Sequence, residues 1–127
     1  MIYADTSALL KLVVVERETA RLRAWLSRKE DRVVTNDIGV VELLRAAARL
    51  SPDAVAAARL LLPRLDRLGL TPTALAAAAT RAPAAVRTPD ALHLASAMEL
   101  RDLDVLVTYD DRLAEAARSN GVPVAAP

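Results

Sequence analysis

"MIYADTSALLKL" (residues 1–12) opens with an apolar run, breaks it at Asp5, adds the hydroxyls of Thr6 and Ser7, and turns apolar again. Residues 1–4 read as a short buried strand, and Ser7–Val15 as a helix that follows almost at once. The same hand-over from strand to helix recurs down the chain. "RVVTND" (32–37) is a β-branched strand that ends in turn and cap residues, and Asn36 or Asp37 is placed to cap a helix over Ile38–Leu50. "DVLVTYD" (104–110) is the clearest strand, followed by the helix "DRLAEAARSNG" (111–121), which Gly121 should stop.

Between these units the reading is mostly helical. Glu16–Lys29 repeats apolar residues at Ala20, Leu22, Trp25 and Leu26. Ser51 and Pro52 form an N-cap and first-turn pair for a helix that Pro63 should end. "RLGLTPT" (67–73) is a weak strand candidate before an Ala-rich helix over 74–79, and Thr88 with Pro89 repeats the cap logic for "RTPDALHLASAMEL". "VPVAA" (122–126) reads as a last short strand. Strands alternating with helices specify a parallel sheet covered on both faces. The fold class is therefore α/β, in one domain spanning 1–127 with no internal repeat or linker, and with the first strand central. In such a sheet every strand ends on one edge, where ligands bind.

Composition narrows the function. Hydrophobic residues make up 54% and charged residues 26%, the make-up of one compact soluble domain. A net charge of +1 provides no whole-molecule attraction to nucleic acid, so any such binding is local. Tyr3, Trp25 and Tyr109 are too few aromatics for the stacking platforms of RRM or OB modules. Lys11 and Lys29 are the only lysines, and the other cations are arginines, the better bidentate partners for phosphate. The longest uncharged stretch, Leu68–Thr80, is interrupted by Pro72 and falls short of the roughly 20 residues of a membrane span. Asp5 stands where a secretory signal would carry a cation, and cysteine is absent, so a reducing, cytoplasmic setting is expected.

Four acids fall at the ligand edge of this scheme. Asp5 ends the first strand and Asp110 ends the "VLVTYD" strand, while Asp90 lies in the first turn of the helix that feeds it. Glu42, in the second turn of the helix after "VVT", tilts toward the same edge because helical side chains lean N-terminally. Each has a structural explanation, as a helix cap, a first-turn acid or an exposed glutamate. Their joint placement points instead to a site. Clustered carboxylates repel, and a hard cation relieves that repulsion. Mg²⁺ suits such an oxygen set, with Mn²⁺ a substitute, and phosphodiester hydrolysis is the chemistry it serves.

Other chemistries lack parts. His93 is the sole histidine, so neither a two-histidine ribonuclease nor a serine triad with a G-x-S-x-G turn can be assembled, and it reads as a packing or supporting residue. No glycine-rich phosphate loop exists among three glycines. A receiver-type phosphoacceptor would need a late lysine, and none follows Lys29.

"MIYADTSALLKL", the glutamate of "VVELLRA", "TPDALHLASA" and "LVTYDDRLAEAA" followed by "GV", in this order, resemble the PIN-domain family, in particular its small VapC-type ribonuclease toxins. The resemblance implies a three-layer α/β/α fold, Mg²⁺- or Mn²⁺-dependent endoribonuclease activity, a homodimer and neutralisation by a VapB-type antitoxin. It places Asp5, Glu42, Asp90 and Asp110 at the family's acidic positions, with Asp5, Asp90 and Asp110 as metal ligands and Thr6 and Thr108 at the hydroxyl positions beside them. "YDDRL" offers Asp111 as well, and Asp110 is preferred because it directly follows the strand. The alternatives are a PIN nuclease of RNA processing or DNA repair, and a non-catalytic partner-binding module whose acids are only caps. "VVELLRAAARL" and "AVAAARLLL" carry more apolar residues than one core stripe needs, so a partner is expected over Ile38–Leu62, with Arg45, Arg49 and Arg59 at its rim.

Overall fold

Short apolar runs rich in β-branched residues become the inner strands of the sheet, Ile2–Ala4, Val33–Asn36 and Val105–Val107. The computed structural model describes all 127 residues. The elements are β1 (Ile2–Ala4), α1 (Thr6–Val13), α2 (Thr19–Leu26), β2 (Val33–Asn36), α3 (Asp37–Leu50), α4 (Pro52–Leu61), β3 (Asp66–Leu68), α5 (Pro72–Arg81), α6 (Thr88–Met98), β4 (Val105–Val107), α7 (Asp111–Ser119) and β5 (Val124–Ala125). A short 3₁₀ turn over Leu62–Arg64 carries Pro63 out of α4.

The sheet is wholly parallel, in the order β3-β2-β1-β4-β5. β1 is central, as expected. Alternate side chains leave each strand on opposite faces. Ile2, Ala4 and Val107 pack with α1 to α4 through Leu9, Leu22, Leu43, Ala47 and Ala58. Tyr3, Val34 and Leu106 face α6 and α7 through Leu94, Ala97, Leu113 and Ala117. The result is the expected helix–sheet–helix layering, with α5 stacked on α6. No helix is long and apolar enough to cross a membrane.

The caps settle the boundaries. Asn36 caps α3 through Gly39 N–H, Ser51 caps α4 through Ala54 N–H, and Thr71 caps α5 through Ala74 N–H. At Gly121 the backbone turns left-handed, with φ 74°, so the chain can leave α7 after bonding back to Arg118 O. Several expectations shift. The strand candidate over 67–73 is reduced to β3 at Asp66–Leu68, because Thr71 and Pro72 start α5, which runs to Arg81 rather than over 74–79 alone. α1 begins at Thr6 because Asp5 is its cap, and it ends at Val13 rather than Val15. α2 occupies only Thr19–Leu26 of the expected 16–29, since Thr19 Oγ1 first ties the preceding turn to Lys11 O and Glu16 N–H. α6 takes Thr88 into its first turn, leaving Arg87 as a cap with no side-chain bond.

Candidate active site

The strand order reverses at β1: the chain steps outward through β2 and β3, then returns to place β4 on the other side. Clefts open at the carboxyl end of such a switch point because the two connecting helices diverge there. Asp5 follows β1, and Thr108 and Asp110 follow β4.

Asp5 is 2% exposed. Its Oδ1 accepts from Ala8 N–H at 2.9 Å, which caps α1, and its Oδ2 accepts from Thr108 Oγ1 at 2.6 Å. The Ser7 hydroxyl lies 2.7 and 2.9 Å from the two oxygens and itself accepts from Tyr109 N–H. Thr108 Oγ1 in turn accepts from Asp110 N–H. The turns after β1 and β4 are thus tied together through one carboxylate. Burial pushes the Asp5 carboxyl above its usual range, against the opposing pull of Thr108, Ala8 and Ser7.

Asp110 caps α7 through Leu113 N–H at 2.9 Å. With Asp90 and Asp111 it lines a cleft of about 340 Å³ that is completed by Arg87, Tyr109 and Arg112. No hydroxyl or backbone N–H donates to Asp90, whose partner is Arg87 Nε at 3.5 Å. Burial and then the charge of Asp110 hold the Asp90 carboxyl above its usual range. Glu42 sits differently. It accepts from Thr6 Oγ1 and, at 3.0 Å, from His93 Nε2, and these bonds, His93 foremost, hold it below the usual range despite partial burial.

As the side chains stand, no three His, Asp or Glu groups surround one point closely enough to hold an ion among them. The expected ligands Asp5, Asp90 and Asp110 are neighbours at the edge, not a closed cage, and Glu42 is committed to Thr6 and His93. The donor chemistry still fits a hard cation. Asp90 and Asp110 offer oxygens that repel one another, and Mg²⁺ takes one or two carboxylates and keeps several waters.

Thr6 and Thr108 are both bonded to acids of the set, the first to Glu42 and the second to Asp5. Ser7 was the hydroxyl that sequence reasoning passed over, although it adjoins Thr6. The cleft arginines Arg87 and Arg112 were also missed; both lie within three residues of an expected acid. His93, expected as a packing or supporting residue, is buried and bonds Glu42 from α6.

Residues 2–119 match the PIN domain family. Ribonuclease VapC47 of Mycobacterium tuberculosis (strain CDC 1551 / Oshkosh) is 44% identical over 132 residues, covering 100% of this chain and 97% of that protein. Among solved structures, FitAcB from Neisseria gonorrhoeae superposes with TM-score 0.76 at 23% identity, covering 100% of this chain and 98% of that one. A toxin–antitoxin complex from Klebsiella pneumoniae superposes with TM-score 0.74 at 22% identity, covering 100% and 98%. With its parallel sheet, its acids at the β1/β4 switch point and these likenesses, the chain belongs to the PIN-domain family.

Proposed function

We propose that this chain, acting as one PIN domain, is a divalent-metal-dependent endoribonuclease and the toxin of a VapBC-type toxin–antitoxin pair. The observation that carries the reading is the cleft in which Asp90 and Asp110 face Arg87 and Arg112 beside Asp5, in a chain 44% identical to a protein named a ribonuclease. Asp5, Asp90 and Asp110 would hold the cation, with Mg²⁺ the preferred ion and Mn²⁺ its substitute. Bound there, the ion would acidify a water and polarise a phosphoryl oxygen.

The protein's own groups have distinct tasks. Arg87 and Arg112 offset the negative charge of the edge, so a phosphodiester can approach carboxylates that would otherwise repel it. Glu42, kept ionised by His93 and Thr6, is an acceptor able to orient the attacking water. No second histidine is present to serve as the acid of a 2′-hydroxyl mechanism, and the one histidine is buried. The nucleophile this reading expects is a water activated by the cation.

A partner surface accompanies this site. Leu60 is 74% exposed on α4, Val41 and Leu50 are exposed on α3, and Leu12, Leu26 and Leu61 line a groove beside Leu60 with Arg23 and Arg64. Val41, Leu50 and Leu60 belong to the apolar surplus expected over Ile38–Leu62; the groove extends it onto α1 and α2, and the cations lining it are Arg23 and Arg64 rather than the expected Arg45, Arg49 and Arg59. We assign it to a VapB-type antitoxin segment and a second copy of the chain; the Klebsiella neighbour is a toxin–antitoxin complex.

The test is cleavage of cellular RNA by the purified chain with and without Mg²⁺, followed by analysis of the ends. Cleavage that needs the ion and leaves 5′-phosphate and 3′-hydroxyl ends is expected. Activity in chelator, or 2′,3′-cyclic phosphate ends, would overturn the mechanism.

A further inference from the structure

His93 is the only histidine and is 1% exposed, yet one ring nitrogen faces the site while the other faces the core. Nδ1 lies 2.9 Å from the Tyr3 hydroxyl on β1. Nε2 lies 3.0 Å from Glu42 Oε2 on α3 and 3.2 Å from Thr6 Oγ1 on α1. A ring on α6 thus links three other elements. The backbone makes room for it: a Cβ at Gly39 would stand 3.1 Å from His93 Cε1 and 2.3 Å from Thr35 Oγ1. Gly39 precedes Glu42 by three residues, on the same helical face; a side chain there would meet Thr35 Oγ1 first and would also crowd the imidazole, which lies against α3 within reach of the carboxylate. A glycine inside a helix costs about 1 kcal/mol relative to alanine, and here the close approach accounts for it.

The partners decide which nitrogen bears the proton. An ionised Glu42 can only accept, so Nε2 must donate to it. The Tyr3 hydroxyl, 2.9 Å from Nδ1, has that nitrogen as an acceptor. We propose that Tyr3, His93 and Glu42 form a positioning relay: Tyr3 O–H donates to Nδ1, this fixes the Nε2–H tautomer, and Nε2–H with Thr6 O–H holds the Glu42 carboxylate in one orientation at the sheet edge. His93 touches no substrate and acts through Glu42. The relay rests on the reading of Glu42 as a group of the nuclease site, and the experiment separates the two.

Because the chain has one histidine, ¹⁵N-histidine labelling reports a single pair of ring nitrogens. In the full-length protein at neutral pH, Nε2 should show the protonated shift and Nδ1 the bare one. Glu42→Gln should move Nε2, and Tyr3→Phe should admit the Nδ1–H tautomer. A protonated Nδ1 in the parent, or spectra unmoved by both variants, overturns the relay. In RNA cleavage, His93→Gln, whose amide N–H reaches the Nε2 position, should keep kcat within a few-fold. His93→Asn, whose amide matches the Nδ1 end, should lose about ten- to a hundredfold in kcat with little change in KM, the scale of losing an orienting partner. Equal losses in both, or a loss confined to KM, overturn it. If the His93 variants do not fold, Tyr3→Phe, which removes one oxygen, carries the test: the same kcat loss is expected, and native kcat refutes the relay. A parent that shows the expected nitrogen shifts but cuts no RNA sinks the ribonuclease reading and leaves the relay supported.

Discussion

Asp5 and Asp90 stand at the same edge of the sheet, and burial raises both carboxyls, but the surroundings answer that cost in opposite ways. Around Asp5, a backbone N–H and the hydroxyls of Ser7 and Thr108 take up both oxygens. Around Asp90 nothing equivalent exists: Asp110 adds repulsion, and Arg87 sits at 3.5 Å. The first half of the edge is completed by folding itself, since its donors come from the two turns it joins. The second half keeps uncompensated charge facing a cleft, which is what a site needs if cation and phosphate are to gain by entering. Asp5 therefore carries part of the fold in addition to its proposed place at the cation, whereas Asp90 is left to the cleft.

Asp90 and Asp110 are the largest test of this division. Asp90→Asn and Asp110→Asn should each lower RNA cleavage by about a hundredfold or more, the scale of losing a group at the reacting centre, while the chain stays folded by circular dichroism. Asp111→Asn, at an exposed neighbouring position, should be mild by comparison. If Asp90→Asn cut at the native rate, Asp90 would be only a helix-start residue and the division would fall.

On the other side, Asp5→Ala should lose stability as well as cleavage. It removes a helix cap worth about 1 kcal/mol and leaves the Thr108 and Ser7 hydroxyls to find new partners at about 1–3 kcal/mol, partly offset by relief from burying a charge. Urea denaturation should show a net loss of roughly 2–3 kcal/mol. An unchanged midpoint would mean that the two turns hold together without Asp5.

A smaller effect follows from pH. Because its folded carboxyl is raised, Asp90 binds its proton more tightly in the folded chain than in the unfolded one, so its charge destabilises the protein above that raised value, and the penalty fades as pH falls below the usual carboxylate range. In chelator, Asp90→Asn should therefore melt slightly higher than the parent at pH 7, and the gap should close toward about pH 4. A gap that widened on acidification would contradict the repulsion assigned to the pair.

Much of this was readable from local residues because the signals are local. Caps such as Ser51 and Thr71 act through a backbone N–H three residues away, and Gly121 permits a turn by its own φ. Alternation of β-branched runs with capped helices was enough for a parallel sheet, and the rule that such strands end on one edge was enough to gather Asp5, Asp90 and Asp110. Boundaries failed where a side chain was claimed by a distant partner: Thr19 bonds back to Lys11 O and delays α2, which the spacing of Trp25 and Leu26 could not reveal. The apolar surplus of α3 and α4 pointed to an exposed face, but which residues stand on it, Leu60 foremost, took the packed structure to decide.

The chain by itself determined the fold class and which acids fall at strand ends and helix starts, because each depends on residue type and on spacing along a strand or helix. Tertiary structure alone decided how those acids differ. Asp5 is saturated by Thr108, 103 residues away, while Glu42 is gripped by His93, 51 residues away, and Asp90 is left facing Asp110. The physical reason is that a carboxylate's charge state and orientation depend on which donors and which other charges lie within a few ångströms of it. Those neighbours come from β1, α3, α6 and the turn after β4, which meet only when the sheet has formed.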